Sequence, residues 1–160
     1  MNNGNKLYAA YGFYMNHREM ADKCPTAQPV GASELKDYRL LFRGPNAEAL
    51  ATVEPCKGES VPVLVWEISP ADEAALDHRL RFPALYRKER MKVRLDGKTV
   101  SVMFYAMNNE EAHRPLAKPG SFYFISIFNG YKESDLDTAI LYKALHDSSE
   151  PEPAPSDEPS

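Results

Sequence analysis

The chain has 160 residues, 43% hydrophobic and 26% charged, proportions of a soluble globular protein with room for one sizeable core. Its formal net charge of -4 offers no basic footprint for nucleic acid or for an anionic membrane surface, and no run approaches the ~20 apolar residues that span a bilayer. Two cysteines, Cys24 and Cys56, without metal-type spacing and without a charged-then-apolar leader, point to a reduced cytoplasmic setting in which both are buried or idle, a disulfide between them being the alternative.

Residues 6–11 are apolar and aromatic and stop at Gly12, the pattern of a buried strand breaking into a tight loop. Asn16 is placed to cap a short helix through Met20 to about Lys23, closed by Pro25. Three β-prone runs follow, 39–43, 50–54 and 61–68, bounded by turn signals at Gly44-Pro45-Asn46 and Lys57-Gly58-Glu59; they read as consecutive antiparallel strands. Ser69-Pro70-Ala71-Asp72 combines a serine cap, a proline at the first helical position and an acid three residues after the cap, which predicts a helix over 70–80 ending before Pro83. Asp96-Gly97 between 86–95 and 98–107 is the strongest hairpin signal, because both residues tolerate positive φ. Pro119 opens a further helix with Phe122, Ile125 and Phe128 on its apolar face and its end near Gly130. Ser134 and Asp137 frame a capping box for a last helix, along which Leu136, Ile140, Leu141, Ala144 and Leu145 recur at helical spacing. From Ser148 onward Pro, Glu, Asp and Ser dominate, a composition that cannot offset its ordering entropy by burial; 148–160 reads as a disordered acidic tail after a domain at 1–147.

The segment Leu76-Asp77-His78-Arg79-Leu80-Arg81-Phe82-Pro83 resembles the Leu-Asp-x-x-Glu-Gly-x-Pro signature of the γ-glutamylcyclotransferase-like (AIG2-like) family, with Leu80 in the place of the acid/base Glu and Arg81 in that of the Gly. Tyr8-Ala9-Ala10-Tyr11-Gly12 is similar to the family's first strand and substrate loop, usually Ala-Tyr-Gly-Ser-Asn, with Phe13 and Tyr14 replacing Ser-Asn. Val61-Pro62-Val63-Leu64-Val65-Trp66 and Phe82-Pro83-Ala84-Leu85-Tyr86 resemble bacterial members in order and spacing, and the likeness runs from about Lys6 to Leu145. The resemblance implies a mixed α+β fold: a small antiparallel sheet curled into a partial barrel with flanking helices.

It also implies a reaction in which the α-amine of a γ-glutamyl group attacks its own γ-carbonyl, expelling an amine and leaving 5-oxoproline. A carboxylate takes the proton from the α-ammonium and returns one to the leaving nitrogen. Leu80 can do neither, and a leucine on the apolar side of an amphipathic helix is ordinary core. Glu67, Asp77 and Glu89 are weak substitutes, Asp77 being the family's own Asp and better suited to hydrogen bonding around the helix end. The resemblance gives ligand contacts to Tyr11, Gly12, Phe13, Tyr14, Leu80, Tyr86 and Tyr123. Backbone N–H groups of the loop can still capture an anion after a side-chain exchange. The rings of Phe13 and Tyr14 either line a pocket for an aromatic or apolar amide or plug a disused one, and Tyr86 and Tyr123 are either pocket or packing residues.

His17, His78, His113 and His146 are scattered, with His78 and Arg79 expected on a solvated face, so no metal is expected. No phosphate-cradling loop, dinucleotide fingerprint or Ser-His-Asp context occurs, and no cofactor is implied. Three functions stay open: an altered cyclotransferase acting on an amide or γ-glutamyl-type substrate, a non-catalytic binder of such a small molecule, and an interaction protein with its pocket closed that meets a protein partner.

Overall fold

The computed structural model describes residues 4–108 and 114–149. In chain order the elements are β1 (Lys6–Ala10), a single 3-10 turn (Phe13–Met15), α1 (His17–Lys23), β2 (Gln28–Arg43), β3 (Leu50–Ile68), α2 (Pro70–Arg79), β4 (Tyr86–Leu95), β5 (Lys98–Met107), α3 (Ser121–Glu133) and α4 (Ala139–Ser149). The five strands form one sheet in the order β2-β3-β1-β5-β4. No helix among the described residues is long and apolar enough to cross a membrane.

The expected antiparallel sheet curled into a partial barrel is not what forms. The sheet is open, with β2 and β4 as its two edges, and it is mixed, because β1 pairs β3 antiparallel and β5 parallel, with Tyr8 opposite Met103. The hairpin joins through β5, whose residues from Val102 to Met107 are all buried, while β4 stays outside. The free edges do approach one another. A Cβ on Gly31 would lie 3.1 Å from a Leu95 methyl, and the Ser33 hydroxyl donates to the Arg94 carbonyl. No strand ladder joins β2 to β4, so the sheet does not close.

The three short strand runs prove to be two long strands, and the Gly44 turn joins them. The second expected turn, at Lys57-Gly58-Glu59, is a bulge inside β3. Register shifts between Lys36 and Tyr38, Asp37 sits at φ 65 and Gly58 at φ 89, and the Asp37 carboxylate accepts the Gly58 N–H at 2.9 Å. Turn-type residues here bend a continuous ribbon without ending it.

The starts of α1 and α2 follow the sequence closely, whereas α3 begins at Ser121 behind a Gly120 cap and not at Pro119. Asn16 accepts from the backbone N–H of Arg18 and Glu19, and Ser69 with Asp72 completes a capping box. Helix faces and ends follow it less well. Phe122 and Ile125 are 71% and 54% exposed, whereas Ile127 and Tyr131 are fully buried. Gly130 does not end α3. A Cβ there would meet the Asn16 backbone nitrogen at 2.7 Å, so the glycine admits a close crossing and the helix runs on to Glu133. Ser134 caps the end of α3, and only Asp137 serves α4, accepting from the Ala139 N–H. Helix α4 continues through Ser149, and the buried Ser148 hydroxyl accepts the Phe42 N–H at 2.9 Å. The expected acidic tail lies from residue 150 on outside the described residues, as does His113.

Helix α2 closes with the two bonds of a Schellman motif, Phe82 N–H to Asp77 carbonyl at 2.8 Å and Arg81 N–H to His78 carbonyl at 3.2 Å. The motif puts Arg81 at φ 53, a left-handed conformation that costs a side-chain-bearing residue about 1–2 kcal/mol and glycine almost nothing. Arg81 is exposed. Arg81→Gly should therefore raise the free energy of unfolding by about 0.5–1 kcal/mol, the larger unfolded-state entropy of glycine cancelling part of the relief. Urea denaturation of both proteins checks the sign.

Candidate functional site

The loop after β1 is held from three sides. The Tyr131 hydroxyl of α3 donates to the Tyr11 carbonyl at 3.1 Å, Asn16 Nδ2 donates to the Ser126 carbonyl at 2.9 Å, and the Met15 N–H closes on the Gly12 carbonyl at 3.0 Å. This anchoring sets Phe13 against α3. Its ring stacks on Tyr123, with centroids 5.4 Å apart and planes 7° apart, and meets Tyr14 edge-on at 5.3 Å.

All seven residues nominated as ligand contacts, Tyr11, Gly12, Phe13, Tyr14, Leu80, Tyr86 and Tyr123, surround one cavity. Its volume is about 30 Å³, room for about one water. Tyr8, Ala51 and Tyr105 complete the wall and were missed in the sequence. Their only signal there was alternation along strands, which every core strand shares.

Three of the phenols are engaged with the protein's own backbone. Tyr86 donates to the Ala51 carbonyl at 2.7 Å while Tyr123 accepts the Ala51 N–H at 2.9 Å, so two rings clamp one residue of β3. Tyr11 donates to the Tyr105 carbonyl at 2.7 Å. Burial lifts the Tyr8, Tyr11, Tyr86 and Tyr105 hydroxyls well above the ordinary phenol range. Burial also pushes Tyr123 up to about 12, against the lowering effect of its bond to Ala51.

Outside the small cavity lies an open cleft of about 280 Å³, walled by Phe13, Tyr14, Leu50, Leu80, Tyr86 and Tyr123, with His78 and Arg79 at its edge. His78 and Arg79 are exposed as expected, yet they border this cleft. Burial raises the Tyr14 phenol, and a hydrogen bond with Arg79 partly opposes the rise.

No carboxylate lines either space. Glu67 takes the Asn5 side-chain amide at 3.0 Å, and Glu89 is bound to Arg87 at 2.5 Å, so neither is directed into an interior as a barrel would have had it. Asp77 does not serve the helix end. It accepts from the Tyr105 hydroxyl at 2.6 Å and pairs with Lys88 at 3.0 Å; Lys88 in turn pairs with Glu73, which also binds Lys6. This chain of charges lowers the Glu73 carboxyl against the opposing effect of burial, which is the largest single influence on it. Both cysteines are free thiols. Among the described residues no group of His, Cys, Asp and Glu is arranged to hold a metal ion.

A protein-family profile described as gamma-glutamyl cyclotransferase, AIG2-like, matches residues 8–123. No curated protein matches the chain. Among solved structures, one named gamma-glutamyl cyclotransferase is similar at a TM-score of 0.76 and 23% identity over 97% of this chain and 94% of its own. An uncharacterised human protein, loc79017, gives 0.77 and 23% over 99% and 93%. YkqA from Bacillus subtilis gives 0.76 and 21%, with 92% of this chain covering 56% of that one. At these identities the likeness is one of fold.

Two outcomes follow from the tyrosine cluster. Tyr86→Phe and Tyr123→Phe should each cost about 1–3 kcal/mol by stranding a backbone group of Ala51, and the pair should be non-additive because both act on one residue; urea denaturation of the single and double variants measures both effects. The Tyr123 phenol holds its proton more tightly folded than unfolded, about 12 against 10.0. Its contribution is therefore complete below pH 10.0 and is lost as pH rises through about 12. Phenolate absorbance of the buried tyrosines should appear together with loss of circular dichroism in an alkaline titration, not ahead of it.

Proposed function

Since this chain belongs to the AIG2-like gamma-glutamyl cyclotransferase family, we propose that it uses the family framework to bind a small molecule and has lost the ordinary 5-oxoproline-forming reaction. The observation that carries this reading is a cavity without a carboxylate, enclosed by Phe13, Tyr14 and Leu80. On the likeness of residues 76–83 to the family signature, Leu80 takes the place of the acid/base Glu. Cyclisation needs a proton removed from the α-ammonium and another delivered to the departing nitrogen; a general acid/base contributes about 10²- to 10⁴-fold to such a step, and leucine contributes nothing. A volume of about 30 Å³ also excludes a γ-glutamyl head.

Binding falls to the outer cleft. Its walls are largely aromatic and apolar, with Arg79 and His78 at the rim, a setting that suits an amino-acid or amide-type molecule with an apolar or aromatic body and a carboxylate. The reading of an enzyme with a relocated carboxylate has less support, because Glu67, Asp77 and Glu89 are all committed to other partners. A pure interaction protein is the second reading, favoured by the exposed Phe122, Ile125 and Tyr142 on α3 and α4. Two free thiols fit a reducing, cytoplasmic compartment.

Incubation with γ-glutamyl dipeptides and γ-glutamyl amines should release no 5-oxoproline at enzyme-like rates; turnover of about 1 s⁻¹ or more would overturn the proposal. Leu80→Glu alone should leave the protein inactive, because Phe13 and Tyr14 still fill the volume and a buried, unpartnered Glu shifts toward its neutral form. Combining it with Phe13→Ser, Tyr14→Asn and Arg81→Gly should exceed the product of the single changes. Equal activity of the single and fourfold variants would mean that the missing acid/base is the sole obstacle.

A further inference from the structure

A concavity of about 830 Å³ lies away from the tyrosine cavity, in the gap where the sheet fails to close. Edge strand β2 forms one side, the β4–β5 hairpin another, and the segment leading into α4 with its first turns a third. The chemistry of the lining is two-sided. Pro62, Val93, Leu136 and Ile140 supply apolar surface, while Lys36, Lys92, Arg94 and Lys143 bring four cations against the two acids Glu34 and Asp137. Lys143 is already paired with Asp147 and Glu59, and Arg94 is bound within its own hairpin to Thr99 and the Gly97 carbonyl. Among the described residues Lys36 and Lys92 have no carboxylate partner.

We propose that this groove is the docking site of the chain's own acidic, proline-rich C-terminal segment, residues 150–160. Charge argues for that occupant. Glu150, Glu152, Asp157 and Glu158 carry the chain's whole formal net charge of -4, which leaves residues 1–149 neutral overall, and Lys36 and Lys92 are the groove cations left to meet those acids. Reach argues for it as well. The segment begins where α4 ends, and Lys143 lies six residues back along that helix, about 9 Å at 1.5 Å per residue. Pro151, Pro153, Pro155 and Pro159 favour an extended chain of about 3.1 Å per residue, so eleven residues span about 34 Å, enough to turn back along α4 and cross the groove. Proline also lowers the entropy lost on docking, and the small residues Pro153, Ala154 and Pro155 suit a shallow apolar floor, with acids on either side for Lys36 and Lys92.

The test uses the full chain. Zero-length carbodiimide cross-linking followed by mass spectrometry should join Asp157 or Glu158 to Lys36 or Lys92 within single molecules, as shown by an equal mixture of isotopically light and heavy protein. The yield should fall about tenfold in about 1 M salt, where the screening length is about 3 Å. Neutralising the segment with Glu152→Gln, Asp157→Asn and Glu158→Gln should move backbone amide resonances around Lys36 and Val93 and leave those of Phe122, Ile125 and Tyr142 in place. Cross-links between light and heavy chains would assign the groove to a second copy and overturn the proposal. So would cross-links spread evenly over surface lysines, or resonance changes confined to the exposed aromatic strip of α3 and α4.

Discussion

The crossing of α3 over the loop that follows β1 is the constraint on which the site depends. Gly130 lets the helix backbone come so near Asn16 that any side chain at 130 would collide with main-chain atoms, and Asn16 answers by binding the Ser126 carbonyl and capping α1. With helix and loop locked at that separation, Phe13 has one place to go, flat against Tyr123. Tyr123 is itself fixed by the Ala51 N–H, and Tyr86 grips the other polar group of the same residue. The geometry of the cavity thus follows from one close approach and two hydrogen bonds to a strand.

That arrangement also sets the chemistry. Phenol groups around an enclosed space would ordinarily be available to a ligand, but those of Tyr11, Tyr86 and Tyr123 are satisfied by carbonyl and amide groups of the wall, and burial keeps them protonated. The acids nearest in sequence to the candidate catalytic position are drawn outward into the Lys6–Glu73–Lys88–Asp77 network, with Tyr105 as the link between that network and the cavity wall. What remains toward solvent is a shallow aromatic cleft with basic residues at its edge. No carboxylate lines it.

Failure of the sheet to close has a consequence on the opposite side. A closed barrel would have no edges, whereas the open sheet leaves β2 and β4 facing each other across a gap that α4 only partly covers. The same feature that separates this architecture from a barrel leaves a groove of about 830 Å³.

Local signals in the sequence determined a good deal. The Asn16 and Ser69 caps, the proline start of α2 and the Asp96-Gly97 hairpin are recovered because each is written within a few residues whose own backbone chemistry decides the outcome. Resemblance to a family signature drew Tyr11, Gly12, Phe13, Tyr14, Leu80, Tyr86 and Tyr123 together, and these residues do meet around one cavity. Tertiary structure decided the rest. Turn-type residues at Lys57-Gly58-Glu59 became a bulge because β2 supplied Asp37 opposite them, and Gly130 continued a helix because a loop lay against it. Phe122 and Ile125 faced outward because Ile127 and Tyr131 won the core face. The fate of Glu67, Asp77 and Glu89 likewise hung on Asn5, Arg87, Lys88 and Tyr105, and the filling of the cavity on the stack of Phe13 with Tyr123. Partners far apart along the chain settle such questions, and no local pattern of residues encodes which of them will meet.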